Sequence, residues 1–291
     1  MIEQTKPSQS KTIRKVLYIL LLFSACAKGK SEPATESSRR NTTPQVYNIG
    51  GSTTVDPIIQ LAIESWRAEH PNDTISYDGV GSSNGIKGVL SGSYLLGGSS
   101  RELKDSETAA GIRKTAIALD GIAVVTHKST GITSLAKGQI QDIFSGKITN
   151  WQAIGGSDAP ITLFIREESS GTRDSFDELA LDKNRPINSA LVVVSNGDMA
   201  LKLSSTPHSI GYIGIGYIGE LGPAAHPIEI DGYLATEEAI AQGDYALARP
   251  LFMVYTGELN GFKKAFMDYL LSPEGQDFVV EAGFLPIPTL E

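Results

Sequence analysis

From Gln45 onward, short apolar runs alternate with segments whose apolar residues recur every three to four positions. Runs rich in β-branched and aromatic residues predict strands at 46–49, 74–77, 94–97, 115–119, 122–126, 161–165, 191–194, 210–213 and 251–255. Helical spacing predicts helices over 57–70, 84–90, 140–144, 172–181, 198–205, 236–242, 261–271 and 273–282. In the first of these, Ile59, Ala62, Ile63 and Trp66 stand at i, i+3, i+4 and i+7. The last opens at Ser272-Pro273-Glu274 and is stopped by Gly283. Asp120-Gly121 reads as a turn between two strands. The alternation as a whole predicts an α/β protein.

Three of the strand-to-helix junctions share a composition. Gly50-Gly51-Ser52-Thr53-Thr54 follows the first strand and precedes Asp56-Pro57, a capping and first-turn pair. Gly79-Val80-Gly81-Ser82-Ser83-Asn84-Gly85 follows the second. Arg166-Glu167-Glu168-Ser169-Ser170-Gly171-Thr172-Arg173 follows the strand at 161–165. The first N–H groups of a helix lack internal partners, and the helix dipole makes that end positive. Hydroxyls, a close backbone and a guanidinium there make an anion site. A Ser or Thr that only caps its helix, beside a surface Arg, would explain any one junction alone. Three together predict convergence at the carboxyl ends of parallel strands, where open α/β sheets bind ligands.

These segments resemble the substrate-binding proteins of bacterial ABC phosphate importers. Gly51 to Thr54, Gly81 to Gly85, Gly97-Gly98-Ser99-Ser100-Arg101 and Arg166 to Thr172 match that family's phosphate loops in order. Asp120 to Val125 and Gln141-Asp142-Ile143-Phe144-Ser145-Gly146-Lys147-Ile148-Thr149-Asn150-Trp151 match its framework. The likeness spans roughly residues 45 to 291. It implies a type II periplasmic-binding-protein fold: two lobes, a ligand cleft between them, and two crossing strands. Lobe one would be 45–119 plus 229–291, and lobe two 120–228. The glycine-rich segment 211–217 then falls either near the second crossing and cleft floor or in a loop-like edge.

The resemblance also implies roles. Thr53 would give its hydroxyl, Thr54 its N–H, Ser82 and Ser100 hydroxyls, and Arg166 charge-assisted bonds. Ser170 and Thr172 would give hydroxyls, and Gly171 and Thr172 N–H groups. Ser52, Ser83 and Arg101 lie in the same loops, Arg101 adding charge or bracing. Many family members carry an Asp that accepts a proton from phosphate at the position of Ser100. Here Asp56 or Glu168 would be the carboxylates near enough in sequence to replace it. Glu168 and Arg173 are also expected to form an ion pair that orients their loop.

The formal net charge is −8. Lys6, Lys11, Arg14 and Lys15 against Glu3 give the first 25 residues +3, so the remainder carries −11. That acidic body argues against nucleic acid as a partner, which requires a basic surface. It does not exclude a buried anion held by local dipoles and one Arg, because distant surface charge is screened. The single cysteine, Cys26, excludes an intramolecular disulfide. It follows a basic segment (Lys11, Arg14, Lys15) and the apolar run Val16 to Phe23, a signal-peptide arrangement too short for a spanning helix. Phe23-Ser24-Ala25-Cys26 resembles a bacterial lipobox, with Phe23 in place of the usual Leu. It predicts lipidation at Cys26 and an exported, periplasmic or cell-surface lipoprotein. Residues 27–44 hold no large apolar side chain and read as a flexible tether.

No metal or cofactor is expected. His70, His127, His208 and His226 show no paired spacing. A Gly-x-Ser-x-Gly spacing occurs at Gly81-Ser82-Ser83-Asn84-Gly85, but no His lies near it in sequence to act as the base of a serine hydrolase. The expected function is therefore binding of inorganic phosphate by a monomer that delivers it to the permease subunits of an importer. The alternatives are a carrier of sulfate, molybdate or phosphonate, or a phosphate sensor or hydrolase on the same fold. A sensor would be expected to append an output domain, and none is read within 45–291.

Overall fold

The computed structural model describes residues 45–287, so Cys26 and the tether lie outside the described residues. The strands are β1 (Gln45–Gly51), β2 (Asp73–Asp78), β3 (Leu96–Ser99), β4 (Ile112–His127), β5 (Ser134–Leu135), β6 (Thr162–Arg166), β7 (Leu191–Val193), β8 (Ser209–Gly214), β9 (Ala225–Pro227), β10 (Glu229–Ile230) and β11 (Ala248–Thr256). The helices are α1 (Asp56–Glu69), α2 (Ser82–Ser91), α3 (Asp105–Ala109), α4 (Lys137–Phe144), α5 (Gly171–Leu179), α6 (Asn196–Ser205), α7 (Glu237–Gln242), α8 (Gly261–Leu271) and α9 (Pro273–Glu281). Every predicted strand and helix is present within a few residues, except that two predicted strands are one. The five-residue α3 and the short β5, β9 and β10 carry too little apolar pattern to be read from sequence.

Strand order in the main sheet is β2-β1-β3-β11-β4-β8-β6-β7, with β9 beside β4. One half pairs β1 in parallel with β2 and β3, and the other pairs β6 in parallel with β7 and β8. The 16-residue β4 joins them. Its first part runs antiparallel to β11 and its last part antiparallel to β8. The turn expected at Asp120-Gly121 is therefore absent. Asp120 and Gly121 stay in the ladder opposite Arg249 and Ala248. A Cβ on Gly121 would lie 2.6 Å from Ile240 Cδ1, so the glycine lets that side chain pack closely on the strand.

Each half has its own aromatic packing. The apolar face of α1 is buried, and Trp66 meets Phe262, Phe266 and Tyr269 edge-on. In the other half Phe176 stacks on Tyr212 at 4.0 Å, and Phe144 lies 4.8 Å from Phe176. Trp151 is fully buried and donates its indole N–H to the His208 carbonyl at 2.9 Å. Burying such rings gives both halves a stiff base. The segment 211–217 is not an edge. β8 lies between β4 and β6, and Gly214 at its end approaches Thr54 and Asp120.

Candidate functional site

The carboxyl ends of β1, β3 and β6, the start of α2 and the chain following β7 meet at one point. Arg166 ends β6 and is 1% exposed. Such burial requires a partner on every edge of the guanidinium. Nε bonds Glu167 Oε2 at 3.0 Å. Nη2 bonds Glu167 Oε1 at 3.1 Å, the Val194 carbonyl at 3.2 Å and Thr53 Oγ1 at 3.3 Å. Nη1 is buried with no hydrogen-bond partner in the protein. The backbone of Arg166 is fixed from both sides: Tyr212 OH accepts its N–H at 3.2 Å, and Arg173 Nη1 donates to its carbonyl at 3.0 Å. Burial raises the Tyr212 phenol well above its usual range, so it stays a neutral hydroxyl.

Around this cation stand hydroxyls from both sheet halves. Thr54 Oγ1 lies 2.9 Å from Thr172 Oγ1. Ser52 Oγ donates to Ser100 Oγ at 2.9 Å, and Ser82 Oγ lies 3.4 Å from Ser100 Oγ. Thr53 is 8% exposed, and Ser52, Thr54, Ser82, Ser100, Ser170 and Thr172 are at 2% or less. Thr54 N–H, expected to face the anion, is instead donated to Ser52 Oγ at 3.1 Å. Ser170 is the N-cap of α5, its Oγ accepting the Arg173 N–H at 3.2 Å. The capping reading thus holds for Ser170, while the surface-Arg half of that reading does not hold for Arg166. Gly171 follows as the first helical residue, and a Cβ there would sit 2.2 Å from Ser82 Oγ. Only glycine lets the α5 terminus come that close to the facing hydroxyls.

The remaining predicted residues divide. Ser83 is turned away: its N–H bonds the Ser169 carbonyl and its Oγ accepts from Arg101 Nη2. Arg101 braces; it bonds Glu107 through two nitrogens and lies 2.9 Å from Asp174. Glu168 is 72% exposed and paired with Arg173 at 3.3 Å and Arg185 at 3.4 Å, so its carboxylate is not among the buried hydroxyls. Asp56 is the first residue of α1, and not its N-cap, which is Val55. It accepts from Gln60 at 2.9 Å and flanks Gly79 together with the Thr53 methyl. Burial raises its carboxyl above the ordinary value.

Sequence reading missed several groups. Asn196 Nδ2 donates to Thr54 Oγ1 at 2.9 Å and to Thr53 Oγ1 at 3.3 Å, while its Oδ1 accepts the Gly214 N–H at 3.3 Å. A fourth polar junction, Ser195-Asn196-Gly197 after β7, was its available signal. Arg249, on β11, bonds Asp120 Oδ2 through Nε (2.9 Å) and Nη2 (2.7 Å), and Ile215 N–H bonds Oδ1 at 3.0 Å. Burial pushes Asp120 up and Arg249 down, and each opposes the other's shift. Arg249 also donates to the Ser100 carbonyl at 2.7 Å and to Thr172 Oγ1 at 3.0 Å. It is a second guanidinium at the site, neutralised by Asp120. Tyr217 and Tyr77 donate to the carbonyls of Thr53 and Ser52, and Ser175 to that of Ser100.

Among the described residues no cluster of His, Cys, Asp and Glu could hold a metal ion, and no helix is long and apolar enough to cross a membrane. A family model described as a PBP superfamily domain matches residues 34–274. The phosphate-binding protein PstS of Borreliella burgdorferi is 35% identical over 254 residues, covering 84% of this chain and 91% of that protein. The Bacillus subtilis protein of that name is 29% identical over 278 residues, covering 94% and 92%. A solved structure of a putative phosphate ABC transporter substrate-binding protein with bound phosphate, from Clostridium perfringens, superposes with a TM-score of 0.78 at 35% identity, covering 84% of this chain and all of that one. A phosphate transport receptor from Vibrio cholerae gives 0.69 at 31%, covering 83% and 100%. The fold is thus the two-lobed periplasmic-binding-protein fold.

Asp177, behind the Arg166 loop, yields a pH prediction. Its Oδ1 is buried without a hydrogen-bond partner, its Oδ2 is 3.7 Å from Arg173 Nε, and burial raises its carboxyl to about 6. The folded state therefore holds the proton more tightly than the unfolded chain, so stability falls as pH rises from about 4 to about 6. Asp177→Asn should raise unfolding free energy at pH 7 by up to about 2–3 kcal/mol, with the gain vanishing below about pH 4. Urea titrations at both pH values read this; an equal effect at both would mean the carboxyl is not raised.

Proposed function

Because the chain belongs to the PstS family of phosphate-binding proteins within the PBP superfamily, we propose that it binds inorganic phosphate in the buried site around Arg166 and delivers it to the membrane subunits of an ABC importer. The observation that carries the proposal is Arg166 Nη1, a buried cationic donor unmatched by the protein, set among hydroxyls that can each give a proton. Leaving such a donor bare costs several kcal/mol, and a tetrahedral oxyanion would satisfy it. Arg166, Thr53, Thr54, Ser82, Ser170 and Thr172 would donate to the anion, and Ser100, whose hydroxyl can give or take a proton, would complete the set. The free N–H groups of Gly171 and Thr172, at the start of α5, would add the dipole of a helix terminus.

In this reading the protein is a carrier and not a catalyst. The carboxylates that reach the site, Glu167 and Asp120, are each paired with an arginine, which favours holding an anion over activating water. Lobe one would comprise 45–119 with a returning C-terminal part and lobe two the segment from 120, the return lying later than the expected 228/229 because Glu229–Ile230 pair with Ser134–Leu135 of lobe two. Thr53 and Thr54 come from the first, and Arg166, Thr172 and Asn196 from the second. Their mutual hydrogen bonds are those that lobe closure over phosphate would form. Export as a monomer anchored through Cys26, with 27–44 as tether, would keep the carrier at the membrane and free to turn.

Charge-assisted hydrogen bonds contribute about 1.5–3 kcal/mol each, and an Arg edge makes up to two. Arg166→Ala should weaken phosphate binding at least about a hundredfold while the circular dichroism spectrum is kept. Isothermal titration of anion-stripped protein reads the change, and an unaltered affinity would remove Arg166 from the site. Separately, Cys26→Ser should shift the protein from the membrane to the soluble fraction. If the variant stays bound to membranes through an alkaline wash, the lipid anchor is wrong.

A further inference from the structure

A hydroxyl carries one proton and two lone pairs. Where a neighbour can only donate, a lone pair is used and the hydroxyl proton must point elsewhere. Arginine N–H, backbone N–H and amide NH2 groups are such neighbours. Thr53 Oγ1 faces two of them, Arg166 Nη2 and Asn196 Nδ2, each at 3.3 Å. Thr54 Oγ1 faces Asn196 Nδ2 at 2.9 Å, and Thr172 Oγ1 faces Arg249 Nη2 at 3.0 Å. One proton lies on the line between Thr54 and Thr172, and the other is left over. Ser82 Oγ takes the Ser100 N–H at 3.1 Å, and Ser170 Oγ takes that of Arg173.

Asn196 stands behind two of these hydroxyls at once, and its amide cannot turn over. Its Oδ1 accepts the Gly214 N–H, and a flip would set an NH2 group against that donor. Ser100 is placed differently. Its hydroxyl neighbours, Ser52 and Ser82, are themselves hydroxyls, and its bond with Ser82 can run in either direction. With its proton turned to Ser82, Ser100 keeps a lone pair for an incoming proton. With the bond reversed, it donates.

Resting on the anion-site reading above, we infer that Asn196 is a positioning residue that sets the hydrogen-bond polarity of the site. It fills the second lone pair of Thr53 Oγ1, the first being taken by Arg166, and so holds that hydroxyl as a donor; it also takes one lone pair of Thr54 Oγ1. A protonated oxygen of the ligand finds no acceptor at Thr53 and is directed away from it, toward hydroxyls that keep a lone pair, such as Ser100. Asn196 thereby governs both the orientation of hydrogen phosphate and how far it is distinguished from sulfate.

At about pH 8 hydrogen phosphate and sulfate have the same tetrahedral shape and nearly the same charge, and differ by one proton. Asn196→Asp preserves the side-chain shape and the bond from Gly214 N–H, but its second oxygen can only accept. It takes both threonine protons and turns their lone pairs to the anion. Competition titration should show sulfate losing at least about tenfold more affinity than hydrogen phosphate. The added charge opposes both dianions alike and leaves the ratio unmoved. Asn196→Ala removes the donor without adding charge and should shift the ratio the same way by less. Equal losses for both anions in folded variants would overturn the inference, since a purely structural role weakens both together. A wild-type protein that binds neither anion would instead overturn the anion site itself.

Discussion

A buried guanidinium must be met on every edge, and at Arg166 the protein meets all but one. Glu167, the Val194 carbonyl and Thr53 take Nε and Nη2, and Nη1 is left to whatever enters. The surrounding structure follows from holding that edge still. β6 delivers the residue, Tyr212 and Arg173 pin its backbone, and the Phe144–Phe176–Tyr212 packing stiffens the base beneath it. Gly171 allows the facing hydroxyls within reach of the α5 terminus. A preorganised donor set of this kind spends little free energy on ordering when an anion binds.

Two arginines lie buried at the site, and their different partners give them different work. Arg249 presents two nitrogens to one oxygen of the fully buried Asp120, so its charge is compensated inside the protein. Its remaining donors fix the Ser100 carbonyl and the Thr172 hydroxyl in place. Arg166 is paired with Glu167, which is 20% exposed and better solvated, and keeps one edge uncovered. The net charge of −8 does not conflict with anion binding, because the field at the site comes from groups within a few ångströms.

Much of this was legible in the sequence because it rests on local signals. Apolar periodicity revealed nearly every element, and the Gly/Ser/Thr junctions marked where the strands end. The short elements carried too little pattern to be read, and several other failures depend on contacts between distant parts of the chain. Asp120-Gly121 looked like a turn because both residues favour turns, yet Asp120 is held in a strand by Arg249, which lies far along the chain. Asn196 gave only one more polar junction, and its meaning comes from Thr53, Thr54 and Gly214 meeting it in space. Arg101 and Glu168 lie within the right loops, but their ion pairs hold Arg101 buried against Glu107 and Asp174 and leave Glu168 exposed. Spacing along the chain says which loop a side chain belongs to, and not which way it faces.

In the proposed site a buried set of donors, and not surface charge, holds the anion. Phosphate titration of the anion-stripped protein across ionic strength tests it most directly. A buried site predicts one phosphate per chain, with a dissociation constant that changes by less than about threefold between about 50 mM and about 500 mM salt. A steep loss of affinity over that range, or several weak sites per chain, would contradict it.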